Sequence, residues 1–351
     1  MPLSFVRALR ALCLASFVVC FLAIGARADI VWSPSTGWRI EGGVLSGLSG
    51  REGRRALDYM NRARTQEEHG SYFFALHNYK QVVKKYPNSI YAPEATYHMA
   101  KIYLTRHQYI KAFQEFQTMV ARYPNSSRFN EVIGEEYRIA SALLDGARNR
   151  IWGWIPGFKN RQKGIEYFQV IVANAPYSDY APLALMNIAR GQEREHNTDE
   201  AIDALDRMIN GYSDNLLAPD AYLQMAKLHA SLVTGPAYDQ AETKDALTYY
   251  QDFMILFPHD PNIAVAAKGL SDMKTTLSRS KIILGDFYFY YRDNFTAAKV
   301  FYNEAITNYP DSPIADLAKK RLAAVDAKMA KLMPKPGAPM QPPRKKHFLF
   351  F

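Results

Sequence analysis

The chain has 351 residues, with 43 Lys and Arg against 34 Asp and Glu, and a formal net charge of +9. Hydrophobic residues make up 48% and charged residues 22%, proportions that are typical of a globular protein and exclude wholesale disorder. No stretch reaches the roughly 20 apolar residues that a membrane-spanning helix needs, so the sequence excludes a polytopic membrane protein.

Residues 1–28 have the pattern of a signal peptide. Arg7 and Arg10 form a basic start, residues 11–24 are apolar or small, and Ala-Arg-Ala at residues 26–28 supplies a cleavage site. An uncleaved anchor helix is the alternative, but the apolar run is short for that role. The pattern predicts an exported, periplasmic protein, and association with the inner face of the outer membrane is compatible with it.

Both cysteines, Cys13 and Cys20, lie within this segment. A mature chain that begins at Asp29 therefore has no thiol for a disulfide, a nucleophile or a metal site. A bulky residue precedes each cysteine, which disfavours a bacterial lipid-attachment site. The sequence predicts a mature protein without a lipid anchor.

Residues 29–55 are predicted to form an extended and Gly-rich N-terminal segment. The segment contains Trp32, Pro34 and Trp38, and a Gly-rich stretch at residues 42–53. This stretch has neither the Gly-Lys-Ser/Thr nor the G-x-G-x-x-G pattern of a phosphate-binding loop. It is interpreted as a linker.

A four-residue motif recurs through residues 56–332. Tyr-Pro-Asn-Ser occupies residues 86–89 and again residues 123–126. Related motifs stand at residues 175–178, 212–215, 257–260 and 309–312. Successive motifs are separated by 37, 52, 37, 45 and 52 residues. A base unit of this length with insertions fits a helix-turn-helix solenoid of tetratricopeptide type.

Each unit also pairs a small residue with a large apolar residue four positions later. The pairs are Ala75/Tyr79, Ala112/Phe116, Gly164/Phe168, Ala201/Leu205, Ala246/Tyr250 and Ala298/Tyr302. The small residue lets two antiparallel helices approach closely, and the large one fills the adjacent gap. The sequence therefore predicts an all-α, tetratricopeptide-type helical-hairpin solenoid of about five to six units, with a C-terminal capping helix over residues 313–333.

An insertion near residues 147–163 interrupts the third unit. Pro156, Gly153 and Gly157 are expected to prevent it from continuing a helix. Its aromatic side chains lie between basic flanks and are Trp152, Trp154 and Phe158. Two interpretations remain open: a loop that docks on a partner or an anionic membrane, and a loop that fills the gap between repeats.

A Pro-rich basic tail follows at residues 333–351 and is predicted to be flexible. It contains Arg344, Lys345 and Lys346, followed by an aromatic end. Peripheral contact with an anionic membrane and a simple solubilising role are both compatible with this composition.

With these motifs, residues 56–332 resemble the BamD family, the periplasmic tetratricopeptide components of the outer-membrane protein assembly machinery. The resemblance rests on the Tyr-Pro-Asn-Ser helix ends, on the aromatic insertion in the third unit, and on a long helix leading into Asp-Phe-Tyr-Phe-Tyr-Tyr at residues 286–291. It implies a scaffold that binds outer-membrane assembly components or unfolded barrel clients.

The first helix of each unit is expected to line a binding groove. Candidate partner-binding residues are Tyr97, Lys101, Arg106, Tyr137 and Arg138, together with Trp152, Trp154 and Phe158 of the insertion. Other aromatic residues at repeat positions are expected in the core, as listed above.

No motif indicates an enzyme, a cofactor or a metal site. The eight His residues are scattered and show no ligand spacing. The pairs Glu135/Glu136 and Glu193/Glu195 are interpreted as solvated helix faces. Basic residues alternate with acidic ones along the helices, which disfavours nucleic acid as a partner.

A second hypothesis is a cell-envelope scaffold similar to the tetratricopeptide protein of the Tol–Pal system, which would coordinate peptidoglycan or division machinery. Such proteins usually carry an N-terminal coiled coil, and no heptad run precedes Arg54. The barrel-assembly scaffold is therefore preferred.

Overall fold

The computed structural model describes residues 29–41 and 51–332. The predicted signal peptide (1–28), most of the Gly-rich stretch (42–50) and the predicted tail (333–351) lie outside the described residues. Within them the chain forms four strands, thirteen α-helices and one π-helical segment. In chain order these are β1 (Asp29–Ser33), β2 (Gly37–Glu41), α1 (Arg51–Glu68), α2 (Tyr72–Lys85), α3 (Tyr91–Thr105), α4 (Tyr109–Arg122), α5 (Phe129–Leu144), β3 (Arg148–Ile151), β4 (Ile155–Lys159), α6 (Arg161–Asn174), α7 (Tyr180–Arg194), α8 (Thr198–Gly211), α9 (Ala218–Leu232), α10 (Ala241–Leu256), α11 (Ile263–Asp286), the π-helical segment (Phe287–Tyr291), α12 (Phe295–Asn308) and α13 (Pro313–Leu332).

The chain divides after Glu195 into two compact units. In each unit, helices pack mainly on their neighbours along the chain, as α1 on α2 and α3 on α4 in the first, and α10 on α11 and α12 on α13 in the second. Such nearest-neighbour packing is the arrangement of a helical-repeat array. The predicted all-α, tetratricopeptide-type fold is confirmed.

The small and large residues of the repeat signature lie on α2, α4, α6, α8, α10 and α12, and all of them are buried. Tyr79, Phe116, Phe168 and Tyr302 expose no surface at all. Burying a side chain of this size contributes about 1.5–3 kcal/mol. The signature therefore identifies the core-facing side of each second helix.

The recurring four-residue motif forms the turn after a second helix. The main-chain N–H of Ser89 donates to the carbonyl oxygen of Tyr86 at 3.0 Å, while Pro87 has no N–H to continue the helix. Equivalent bonds of 3.0–3.1 Å close the motifs at residues 123–126, 175–178, 212–215 and 257–260. A local turn thus sets the period of the array.

The N-terminal segment forms a β-hairpin that packs on α1. Strands β1 and β2 pair in antiparallel register, with Trp32 opposite Trp38. Trp38 is buried, and its main-chain N–H donates to the side-chain oxygen of Asn61 at 2.9 Å. Helix α1 begins at Arg51, which corrects the expected boundary at residue 56. Its first turn is mostly exposed and charged, so it shows no apolar period.

The insertion forms a second β-hairpin, in which Ile151 pairs with Ile155. Trp152 and Gly153 make the turn with positive φ angles of 53° and 87°. The absence of a helix here agrees with the expectation from Pro156 and the two glycines.

Helix α13 closes the second unit by packing on α12 and α11. Ala318 and Val325 are buried, whereas Leu317 is 41% and Leu332 is 64% exposed. Leu317 and Leu332 follow the helical spacing of the apolar residues on α13, but these two positions are exposed. Among the described residues, α13 has helical neighbours on one side alone, so its buried stripe is narrower.

Across the described residues, no helix combines the length and the apolarity required to cross a bilayer.

Candidate functional site

A cleft of about 440 Å³ opens on the first unit between α2, α3, α4 and the turn of the β3–β4 hairpin. It is lined by Phe73, Leu76, His77, Lys80, Met99, Tyr103, Arg106, Gln108, Lys111 and Trp152. Its volume is within the range of ligand and peptide pockets. Apolar and aromatic surface alternates here with basic groups.

The charged groups that line the cleft are cationic. Lys80 comes from α2 and Lys111 from α4, and the Lys111 ammonium lies 5.6 Å from the centre of the Tyr103 ring. The nearby Glu115 carboxyl is partly buried; burial raises its pKa, although Lys80 opposes the shift. Lys80, Arg106 and Lys111 outnumber this carboxyl, so the charge around the cleft remains positive. The cleft therefore attracts anionic groups.

The turn of the β3–β4 hairpin is fastened to the edge of the cleft. Arg106 donates from Nη2 to the main-chain oxygen of Trp152 at 2.5 Å. The side-chain oxygen of Gln108, in its favoured amide orientation, accepts from the N–H groups of Trp152 and Gly153 at 3.1 and 3.0 Å. These bonds hold the turn in one position without burying its aromatic rings.

Two further hydrogen bonds attach strand β3 to the start of α4. The N–H of Arg150 donates to the carbonyl of His107 at 2.8 Å, and the N–H of Ile110 donates to the side chain of Asn149 at 3.1 Å. The hairpin is thus an extension of the scaffold. Its large apolar side chains face solvent: Trp152 is 65%, Trp154 70% and Phe158 95% exposed. They do not fill the gap between repeats.

Of the five candidate residues on first helices, Arg106 lines the cleft. Tyr97 is instead buried, with its hydroxyl donating to Glu131 and the Arg128 guanidinium 4.5 Å from its ring. This corrects the expectation of an accessible groove residue. The reason is that Arg128, which immediately precedes α5, lies over the ring and covers it.

Tyr137 and Lys101 also contribute to packing and polar contacts within the scaffold. Tyr137 is half-buried, accepts a 2.8 Å hydrogen bond from Asn187, and meets the edge of Phe168. Lys101 forms a 2.9 Å ion pair with Glu135. Arg138 also pairs with Glu135, at 3.2 Å, but its side chain is 74% exposed.

Most of the lining residues were not predicted from the sequence, among them Phe73, Lys80 and Lys111. These three lie on second helices, whose repeat positions were expected in the core. One signal was available, because Phe73 and Phe74 are adjacent and a helix cannot bury both on one stripe. Phe73 is in fact 75% exposed.

Glu135 and Glu136 do not form a solvated face, which corrects the sequence-based interpretation. Both are buried, and Glu136 has no exposed surface. Its Oε1 accepts from Gln117 at 2.8 Å, and burial raises its pKa to about 8. The spacing of apolar residues along α5 could not reveal the burial of these carboxyl groups, because they are covered by residues of another helix.

A second buried polar cluster connects α1, α3 and α5. His98 lies between Glu67, at 3.0 Å, and Glu94, at 3.3 Å, while Arg128 Nε donates to Glu94 at 2.7 Å. Burial by itself would lower the pKa of His98, but the two carboxylates raise it overall. These side chains pair with one another inside the protein, so the cluster is interpreted as a structural network.

Among the described residues, His229, Glu242 and Asp245 bring one potential metal-ligand atom each within 4.8 Å of one another. Scattered sequence positions had suggested no such grouping. The 2.7 Å hydrogen bond between His229 Nδ1 and Glu242 accounts for the closest approach. We therefore assign no metal ion to these three residues.

Comparison with known protein families finds one matching segment in this chain. A family model described as tetratricopeptide repeat matches residues 283–312. No curated protein matches the chain.

Solved structures with similar helical arrays share little sequence with this chain. A tetratricopeptide repeat protein from Parabacteroides merdae is 9% identical, with a TM-score of 0.32, over 78% of this chain and 100% of that one. The C-terminal part of a repeat protein from Cytophaga hutchinsonii is 16% identical, with a TM-score of 0.32, over 75% and 87%. PilF of Pseudomonas aeruginosa is 11% identical, with a TM-score of 0.28, over 77% and 99%.

The repeat matched at residues 283–312 and the packed helical hairpins together show a fold of stacked, tetratricopeptide-type helical repeats. Stacked-repeat folds of this kind present extended surfaces on which other proteins can bind.

Proposed function

We propose that this protein is an exported scaffold of the cell envelope that takes part in the assembly of outer-membrane β-barrel proteins. In this proposal the cleft between α2, α3 and α4 binds an acidic, aromatic-containing segment of a partner or client polypeptide. The observation that carries it is the cleft itself, in which cationic and aromatic side chains converge on one open volume.

The chemistry of the cleft supports a polypeptide ligand. Lys80, Lys111 and Arg106 supply charge for carboxylates, and the exposed face of Phe73 offers an aromatic platform. Peptide-binding grooves commonly combine a small number of polar or charged groups with apolar contact area. Because Lys80 and Lys111 are exposed, their attraction is expected to weaken as salt rises.

The envelope setting is supported by the sequence. The basic start, apolar run and Ala-Arg-Ala site of residues 1–28 favour export to the periplasm. The resemblance of residues 56–332 to the BamD family favours a place beside the barrel-assembly machinery. A scaffold similar to the Tol–Pal tetratricopeptide protein is the alternative.

A binding experiment tests the cleft. A labelled acidic peptide containing Phe is titrated into the mature chain and into a Lys80→Glu, Lys111→Glu variant. The variant is expected to bind at least about tenfold more weakly, because two attractive charges become repulsive. Lys84→Glu, Arg122→Glu is the matched control, since it makes the same charge change on the same helices outside the cleft. Equal affinity of both variants would contradict the proposal.

The cellular role needs a separate measurement. A photo-crosslinking residue at position 73, with a control at the fully exposed Tyr177, reports what occupies the cleft in living cells. Identification of a barrel-insertase component or a barrel client from position 73 supports the assembly role. A peptidoglycan-linked or Tol–Pal component would favour the alternative, and the same products from both positions would refute specific docking.

A further inference from the structure

The β3–β4 hairpin presents apolar surface that the scaffold does not use. Trp154 is 70% and Phe158 95% exposed, and Ile151 adds a side chain that is 48% exposed. Exposed apolar clusters of this kind mark contact sites. Neither Trp154 nor Phe158 lines the cleft, so this surface is distinct from the proposed peptide site.

The hairpin is also strongly basic. Residues 146–163 contain Arg148, Arg150, Lys159, Arg161 and Lys163 and no Asp or Glu. Lys163 pairs with Glu166 at 2.6 Å. Over residues 29–41 and 51–332, the other four make no ion pair within 4.0 Å that the structure records, and all four are exposed. Their charge is therefore available to an external anion.

Folding does not account for this concentration of charge. Arg148 lies directly opposite Lys159 in the antiparallel register. Like charges at directly opposed positions destabilise a two-stranded sheet. A hairpin that keeps this unfavourable pair beside exposed aromatic rings is better explained by a ligand that carries many negative charges over a broad surface.

The attachment of the hairpin makes it suitable for insertion at an interface. Arg106 and the N–H of Arg150 tie it to the scaffold through Trp152 and His107. The rings are thus presented on a preorganised element, and little conformational entropy is lost on docking. Trp is favoured at membrane–water interfaces, and basic residues are attracted to anionic headgroups.

We infer that the β3–β4 hairpin docks on an anionic lipid surface, with Trp154 and Phe158 entering the boundary between headgroups and acyl chains. Arg148, Lys159 and Arg161 then contact lipid phosphates around them. A protein surface could also offer apolar area. A lipid surface with many negatively charged headgroups, however, matches four available cations that have no acidic residue among them. The hairpin would place the scaffold against a membrane while the cleft stays available.

Vesicle flotation of the mature chain tests this inference. The parent is expected to float with vesicles of phosphatidylethanolamine and phosphatidylglycerol, and much less with phosphatidylcholine alone. Trp154→Ala, Phe158→Ala should reduce the bound fraction about tenfold or more, through lost apolar burial. Tyr177→Ala, Leu216→Ala is the matched control, because it removes two large side chains that are 100% and 96% exposed elsewhere. This control should float as the parent does.

Charge and depth are measured separately. Arg148→Glu, Lys159→Glu should abolish the preference for anionic vesicles, whereas Lys227→Glu, Lys320→Glu should not. Brominated lipids should quench the fluorescence of Trp154. The contribution of Trp154 is identified as the part of the signal that a Trp154→Phe variant lacks. The inference is overturned if the parent does not bind anionic vesicles, or if the Trp154/Phe158 variant floats with them as well as the parent does. It is also overturned if vesicles leave Trp154 open to acrylamide while a purified envelope protein shields it.

Discussion

The guanidinium of Arg106 donates a 2.5 Å hydrogen bond to the main-chain oxygen of Trp152, 46 residues further along the chain. This bond joins the last turn region of α3 to the tip of the β3–β4 hairpin. It explains how a short two-stranded hairpin, which is marginal by itself, keeps a defined position while its aromatic rings stay exposed.

Replacing Arg106 by Ala should loosen the hairpin tip. Loss of a charge-assisted hydrogen bond to a carbonyl costs about 1.5–3 kcal/mol, so amide exchange around Trp152 and Trp154 should accelerate by roughly tenfold or more. Exchange measured by mass spectrometry on peptides covering residues 148–159 tests this. Arg122→Ala is the control for general destabilisation. Unchanged exchange in the Arg106 variant would show that Gln108 and His107 hold the tip without it.

Glu136→Gln should stabilise the protein at alkaline pH. Burial raises the pKa of Glu136 to about 8 from an ordinary 4.5, so the folded chain holds a proton that the unfolded chain has lost between these values. The stability of the parent therefore falls as pH rises through this window. The variant lacks this penalty, and its advantage should grow to the order of a few kcal/mol by pH 8. Urea unfolding at pH 4.5 and pH 8 measures the change, and equal differences at both would contradict it.

His98→Gln should cost most stability at mildly acidic pH. The pKa of His98 is raised, so its contribution is complete below its ordinary 6.5 and is lost as pH rises through the folded value. Burial opposes ionisation of Glu67 and Glu94, but His98 and neighbouring groups lower both pKa values, so their contribution is present above 4.5.

The cluster thus contributes most between about pH 4.5 and 6.5. The difference in unfolding free energy between parent and His98→Gln is expected to be larger at pH 5.5 than at pH 9. Urea unfolding at the two pH values is the measurement. A difference independent of pH would mean that His98 acts by packing against Tyr79, whose ring is stacked 5.3 Å away.

Gly164→Ala should destabilise the first unit. A Cβ at this position would lie 2.7 Å from the main-chain N of Leu144 and 2.8 Å from the oxygen of Ala140, so α5 and α6 would have to separate. Overpacking of this kind costs about 1–3 kcal/mol. Gly211→Ala is the control, because a Cβ there meets nothing within 4 Å. Thermal unfolding followed by circular dichroism should show a lower midpoint for Gly164→Ala than for Gly211→Ala. Equal midpoints of the two variants would contradict the close approach of α5 and α6.

The sequence by itself determined the repeat and the core side of each second helix. Ala75 with Tyr79 and Ala298 with Tyr302 could be identified because a small residue and a large one, one turn apart, describe a helix crossing within a single helix. The Tyr-Pro-Asn-Ser turn is equally local, since its hydrogen bond spans four residues. Pattern recognition succeeds where the physical cause lies within one turn of the chain.

Only the tertiary structure decided which polar and aromatic groups are accessible. Tyr97 was expected in a groove and is sealed by Arg128, while Glu136 was expected in solvent and is buried. Phe73 on α2 and Lys111 on α4 line the same cleft, which neither helix shows alone. Burial and charge depend on neighbours that lie tens of residues away, and their distance is set by helix packing rather than by any period in the sequence.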